Sequence, residues 1–293
     1  MTEPAALPQT AESIGVLRGS LAAKGAGEFI AEVCELAALD GSLGWLAAMF
    51  NAGAYELARL PEHAADVVWG SDPDALITTS HRGDGGIGQG QRLTGRWESV
   101  VGAEYAHWLL LPAGTACRVL VPRSAARIEP VRNPVGLDTA GVCDVTISGS
   151  EVDDSHVFNS DSAGAALIAV AGAAAAVVGS ADGVWRHHIG QERARLATSF
   201  GGDEATNAAY AQVARAASDI DAAKLQVVEL LHRSDDVATA MWVYQQAVAR
   251  ARGAADRLLG NSRHALDASD PVTRQWRDVH AGYRLTVRFL DRP

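Results

Sequence analysis

Three stretches carry side chains or backbone that could do chemistry. The stretch "QWRDVHAGYRLTVRF" (275–289) sets Arg277, Asp278 and His280 close together. Arginine holds carboxylates or phosphates in a fork, and histidine exchanges protons near neutral pH. The stretch "WRHHIGQERARLATSFGG" (185–202) adds His187, His188, Arg193 and Arg195. Neighbouring residues on a helix do not share a face, so at most one of the two histidines lines a narrow cleft. The stretch "GDGGIGQG" (83–90) offers backbone N–H groups of the kind that cradle phosphate. No helical pattern follows it and no GK[ST] appears, so it is not a P-loop and reads as a flexible turn between strands. Cys34, Cys117 and Cys143 are odd in number and widely spaced among apolar neighbours. They read as small core residues of a reduced, intracellular protein, and no metal site is predicted.

These clusters sit in a chain of 293 residues, 48% hydrophobic and 20% charged, with a formal net charge of -10. That is room for one large domain or two moderate ones with a sizeable core. The acidic balance, with Lys24 and Lys224 the only lysines, argues against a nucleic-acid partner, because phosphate binding needs clustered cations. The start, "MTEPAALPQTAES", lacks the basic and apolar regions of a secretion signal, so the expected location is cytoplasmic. From Ala163 to Ala181 the chain reads "AGAALIAVAGAAAAVVGSA", without a charge and just long enough for a bilayer. Its Ala and Gly content, with Asp161 and Asp182 flanking it closely, points instead to a helix buried in a bundle or subunit interface. No membrane partner is expected.

The elements that must position the clusters fall into three textures. Apolar residues recur at helical spacing up to about residue 70, with a break at "DGS" and a short helix opened by Pro61 and closed by Gly70. From 71 to 160 the runs "ALITTS", "QRLTGRW", "HWLLLPA", "CRVLVPR" and "CDVTISG" alternate with Gly, Pro and Asp. They predict an antiparallel β-barrel or sandwich with no room for βαβ crossovers. From 161 to 293 helix returns. The Ala-rich segment and three amphipathic stretches predict a C-terminal four-helix bundle, its last helix capped by Asp270 with Pro271 at the first position. The fold class is α+β, with expected domains 1–70, 71–160 and 161–293.

That order of textures resembles the acyl-CoA dehydrogenase superfamily, and within it the flavin-dependent monooxygenase branch. The resemblance rests on "LAALDGSLGWLAAM" (36–49), "VVWGSDPDALITTS" (67–80), "RLTGRWESVVGAEYAHWLLL" (92–111), "GLDTAGVCDVTISGSEVDDSHV" (136–157) and "RLLGNSRHALDASDPVTRQWRDVHAGYR" (257–284). It implies FAD as cofactor, with FMN the alternative, a small-molecule substrate, and a homodimer or tetramer formed through the bundle. A heteromer with a homologous subunit is the other arrangement. The chain reads as shortened at its start relative to the family.

For the flavin site, the resemblance implies contacts from Thr78, Thr79, Ser80, Trp97 and Ser99, since hydroxyl and N–H donors suit the negative charge of a reduced flavin. Arg274, one turn before Arg277, is a candidate for a phosphate or carboxylate. Several positions depart from the pattern. Val100 and Val101 stand where the monooxygenases carry small hydroxyl residues. Leu285 stands where a histidine assists oxygen transfer, and Ala197 where dehydrogenases carry an arginine. The dehydrogenases' late base position falls near Thr286, and no acid lies between Gly164 and Ala181. No catalytic residue is assigned, and Arg277–Asp278 and His280 read as structural. Two functions follow: an active flavin-dependent oxidoreductase, or a catalytically degenerate or partner subunit of the same fold that lacks its own base.

Overall fold

The computed structural model describes residues 26–114, 116–159, 163–198, 207–233, 237–260 and 267–290. Residues 1–25, and with them the start of the expected N-terminal domain, lie outside the described residues. By contacts the chain forms two compact units. The first comprises Leu46–Pro134 and Asp138–Gly172 together with the stretch ending at Phe29. The second comprises Ile30–Trp45, Val135–Leu137 and Ala173–Pro293.

Helices α1 (Ala26–Leu39) and α2 (Gly41–Leu57) are separated at Asp40, whose carboxylate accepts from Leu43 N at 3.1 Å. An acceptor at that point satisfies one orphan N–H of the new helix, so the chain restarts there. Helix α3 (Glu62–Trp69) follows Pro61. In the first unit, two open four-stranded sheets follow. One has the order β1 (Ile77–Thr79), β4 (Trp108–Pro112), β5 (Cys117–Pro122), β8 (Val157–Asn159). The other has the order β2 (Gly86–Gly88), β3 (Arg92–Val100), β7 (Cys143–Glu151), β6 (Arg127–Pro130).

Among the described residues neither sheet closes, so of the barrel or sandwich expected from the sequence the barrel is not present. Nor is the pairing wholly antiparallel: β1 runs parallel to β4, with Thr78 opposite Leu109. The reason is the path of the chain. After β1 it leaves to build β2 and β3 in the other sheet and returns beside β1 in the same direction.

The second unit holds most of α4 (Ala163–Thr198) and all of α5 (Asn207–Arg233), α6 (Val237–Gly260) and α7 (Pro271–Leu290). Helix α4 is long and apolar enough to cross a membrane, but its apolar length is almost wholly buried inside the protein, as its small residues predict. Gly179 approaches the carbonyl of Cys34, and Gly183 that of Ala38, too closely for any Cβ. Where α4 reaches the surface of its unit it is tied by charge: Asp182 accepts from Lys224 Nζ at 2.8 Å, and Arg186 grips Glu35 at 2.9 and 3.0 Å. The start of α7 follows the expected punctuation, with Asp270 Oδ1 accepting from Val272 N at 2.9 Å and Thr273 N at 3.3 Å.

Candidate functional site

In the first unit, the end of β1 is built around a buried ion pair. Strand β5 is apolar except for Arg118, whose side chain is only 3% exposed. It meets Glu56, near the end of α2 and 2% exposed, in a two-point fork with Nε–Oε1 at 2.6 Å and Nη2–Oε2 at 2.9 Å. The same guanidinium donates to Ser80 O at 2.7 Å, Thr79 Oγ1 at 2.6 Å and Leu110 O at 3.2 Å. Thr79 Oγ1 in turn donates to Glu56 Oε2 at 2.8 Å, and His81 Nε2 lies 3.6 Å from that oxygen. Burying two charges is tolerable only when they are paired and hydrogen-bonded, and here they are both.

The expected flavin contacts of β1 sit inside or beside this network. Thr78 is fully buried and its hydroxyl donates to Val101 O at 2.7 Å. The Ser80 hydroxyl donates to Arg82 O at 2.8 Å. Trp97, on β3, is fully buried and its Nε1 donates to Pro112 O of β4 at 3.0 Å, linking the two sheets. The side-chain donors of Thr78, Thr79, Ser80 and Trp97 are thus engaged within the unit. Ser99 differs. It is half-buried, sits in the left-handed region at φ +56°, and its N–H is held by Asp144 Oδ1 at 3.0 Å. Val100 and Val101, next to it, are buried at 2% exposure and offer no side-chain donor.

The glycine-rich stretch 83–90 has a packing purpose. A Cβ on Gly83 or Gly85 would run into the Trp97 indole, and one on Gly95 would lie 2.7 Å from the same ring. Gly86–Gly88 forms β2 against β3, so the stretch expected as a flexible turn is partly strand.

In the second unit, the Arg277–Asp278 pair ties a loop to α7. Asp278 is buried and its Oδ1 accepts from Leu137 N at 2.6 Å, while Arg277 Nη2 donates to Ala268 O at 3.2 Å. Leu137 is itself left-handed at φ +57°. A Cβ on Gly136 would lie 2.5 Å from the Arg277 carbonyl, and one on Gly41 would lie 2.6 Å from Asp278 Cβ. His280 Nε2 meets Asp256 Oδ1 at 2.7 Å, beside Trp276 Nε1 on the same oxygen at 2.8 Å. These are ties between α6 and α7, as expected for a structural histidine.

Arg274 is exposed on α7. Burial pushes the His187 imidazole below its ordinary value, and the Arg274 charge adds to that push against the opposing pull of Asp270. His188 is buried, and burial lowers it too. So of the adjacent histidines one is enclosed and the other half-buried, in keeping with their divergent directions. Leu285 is half-buried. Thr286 is fully buried with its hydroxyl donating to Gly282 O at 2.9 Å, so it supplies no base.

Among the described residues no group of three or more His, Cys, Asp or Glu side chains is placed to hold a metal ion. Burial raises the thiols of Cys34 and Cys143 to about 12, and each Sγ donates to a backbone oxygen at 3.4 Å. Sequence reasoning missed Glu56, Arg118 and His81. The available signal was a charged residue in each of two otherwise uncharged runs, "NAGAYELA" and "CRVLV". Such a pair of anomalies is what a buried ion pair leaves in a sequence.

No family model matches the chain. The oxygenase subunit HsaA of a flavin-dependent monooxygenase from Mycobacterium tuberculosis (strain ATCC 25618 / H37Rv) is 28% identical, covering 84% of this chain and 74% of HsaA. The oxygenase component of an FADH(2)-dependent resorcinol hydroxylase from Rhizobium sp. (strain MTP-10005) is 30% identical, covering 87% of this chain and 75% of that protein. Among solved structures, 3-HSA hydroxylase from Rhodococcus sp. RHA1 matches with a TM-score of 0.79 at 25% identity, over 89% of this chain and 80% of the other. Glutaryl-coenzyme A dehydrogenase matches with a TM-score of 0.73 at 15% identity, over 95% and 82% of the two chains, which is a likeness of fold alone.

Proposed function

The chain belongs to the family of oxygenase components of flavin-dependent monooxygenases, within the acyl-CoA dehydrogenase superfamily, and on that premise we propose that it is itself such an oxygenase. In this reading it takes reduced flavin, FAD or FMN, from a separate reductase and directs oxygen to a small, largely apolar or aromatic molecule. The observation that carries it is the 30% identity to a resorcinol hydroxylase component across 87% of the chain. The dehydrogenase alternative lacks support, because the buried, hydrogen-bonded Thr286 stands where a base is needed.

A bound reduced flavin supplies the two electrons with which dioxygen is activated for insertion into the substrate. The chain's own contribution is shape. Thr78, Thr79, Ser80 and Trp97 fix the backbone at the end of β1 and the end of β4 through bonds to protein acceptors. Their side-chain donors do not fit as direct flavin ligands, because those donors are already used. Ser99, half-buried on a strained backbone, and Arg274, exposed on α7, are the two candidate ligands of the six whose side chains reach the surface of their units.

A second reading is a subunit that needs a homologous partner. Leu285, Val100 and Val101 favour it, being apolar where the family resemblance calls for polar groups. One titration decides between the readings. The purified chain is mixed anaerobically with photoreduced FAD and, separately, FMN, and binding is read from flavin fluorescence. Oxygen is then admitted with candidate phenols and oxygen uptake is compared with hydroxylated product. Failure to bind either reduced flavin sinks the first reading. Binding that appears only after co-expression with a homologous subunit establishes the second.

A further inference from the structure

We infer that the buried Glu56–Arg118 pair is a positioning device that sets residues 79 to 81 at the end of β1 for flavin binding. The inference rests on the proposed function above and adds the two residues on which the shape of that turn depends.

Three observations carry it. First, an ion pair this deep is a poor way to gain stability. Apolar residues of similar volume do as well or better, so its presence needs a reason other than burial. Second, the pair is aimed at one place. Arg118 is 3% exposed, and apart from Glu56 every acceptor it uses belongs to Thr79, Ser80 or the facing Leu110. The carboxylate oxygen Glu56 Oε2 receives the Thr79 hydroxyl at 2.8 Å and lies 3.6 Å from His81 Nε2. Three consecutive residues are thereby read by a single fork. Third, β1 is a short strand. It is three residues long and, among the described residues, pairs only with β4, so its end has few ladder bonds to fix its direction. A planar guanidinium locked by a two-point carboxylate contact is rigid enough to do this, and a lysine in its place is not.

The test separates position from stability. The double variant Glu56→Leu/Arg118→Met removes both charges and keeps the volume. It is expected to fold, with native circular dichroism and an unfolding transition close to that of the native chain. It is also expected to bind photoreduced FAD roughly tenfold or more weakly, with an altered fluorescence spectrum of the bound flavin. Glu56→Gln keeps the shape and one acceptor, and is expected to lie between the two. A folded double variant that binds reduced FAD with native affinity and spectrum overturns the inference. Should the double variant fail to fold, Glu56→Gln takes its place, and native binding and spectrum there overturn it equally. If the native chain binds no reduced flavin at all, the proposed function fails first and takes this inference with it. The two failures are therefore told apart by the native control.

Discussion

Replacing Asp278 by alanine tests whether the Arg-Asp pair of α7 is architecture. Alanine keeps the Cβ against which Gly41 packs, so the change removes the carboxylate and little else. What is lost is the bond from Leu137 N at 2.6 Å, a contact between an N–H and a charged acceptor at a buried site. Such bonds contribute about 1.5–3 kcal/mol, and the N–H left behind has its own desolvation cost of about 1–3 kcal/mol. These figures overlap rather than add. The Leu137 backbone also loses the anchor that holds it at φ +57°, a region costing roughly 1–2 kcal/mol for a residue with a side chain. A destabilisation of about 2–4 kcal/mol is expected for Asp278→Ala. Asp278→Asn keeps a neutral acceptor and is expected to lose less than half as much. Urea unfolding followed by tryptophan fluorescence measures the free energies, and hydrogen exchange at the Leu137 amide locates the change. The reasoning is refuted if Asp278→Ala unfolds within about 0.5 kcal/mol of the native protein with Leu137 exchange unaltered. It is refuted in another direction if Asp278→Asn abolishes oxygenation while stability and exchange stay native, since the carboxylate would then act on substrate or cofactor.

Three further outcomes follow from the geometry. Gly85→Ala drives a Cβ into the Trp97 indole and to within 2.6 Å of Pro112 O, so it is expected to destabilise by about 1–3 kcal/mol. The penalty should shrink in a Trp97→Phe background, as a double-mutant cycle of unfolding free energies would record. Thiol titration with an aromatic disulfide near pH 8 should modify at most Cys117 in the folded protein and all three cysteines after unfolding. Cys34 and Cys143 are buried thiols raised to about 12, and Cys117, though also raised, is half-exposed. Burial holds the His188 imidazole below its ordinary value against the opposing pull of Glu192, while the unfolded chain takes up a proton near about 6.5. Below that pH the unfolded state binds more protons, so stability falls as pH falls and is fully present above it. Unfolding free energies between about pH 7 and pH 5 should show this slope, and His188→Gln should flatten it.

The helices were the legible part, for reasons particular residues show. Asp270 with Pro271 gave the start of α7 directly, because a cap and a proline act on the local backbone alone. The Ala-rich run gave α4 as a buried helix, because Ala and Gly suit close helix packing and not a bilayer. The sheets were legible only as strands. Of the eight strands among the described residues five were visible as β-rich runs, but β2, β6 and β8 are short and carry Gly, Arg or Asn, and their pairing is decided by distant partners. The parallel contact of β1 with β4 left no local trace, since direction is set by the route of the chain through the other sheet. The same holds for the site. Thr79 and Ser80 were identifiable as polar residues at a strand end, but that Arg118 and Glu56 use up their polar groups depends on residues 38 and 23 positions away in sequence.

The contact between α1 and α4 has a consequence for how this chain can change over generations. Where Gly179 lies against the Cys34 carbonyl and Gly183 against that of Ala38, the spacing between two helices is set by the absence of a side chain. A single added methyl there has no empty space to enter, so it moves a backbone. Substitutions at these positions are therefore expected to survive in pairs, or with a shift of one helix along the other. Drift in single steps is left to the outward faces of α5 and α6, where Leu225 and Trp242 already stand in the open.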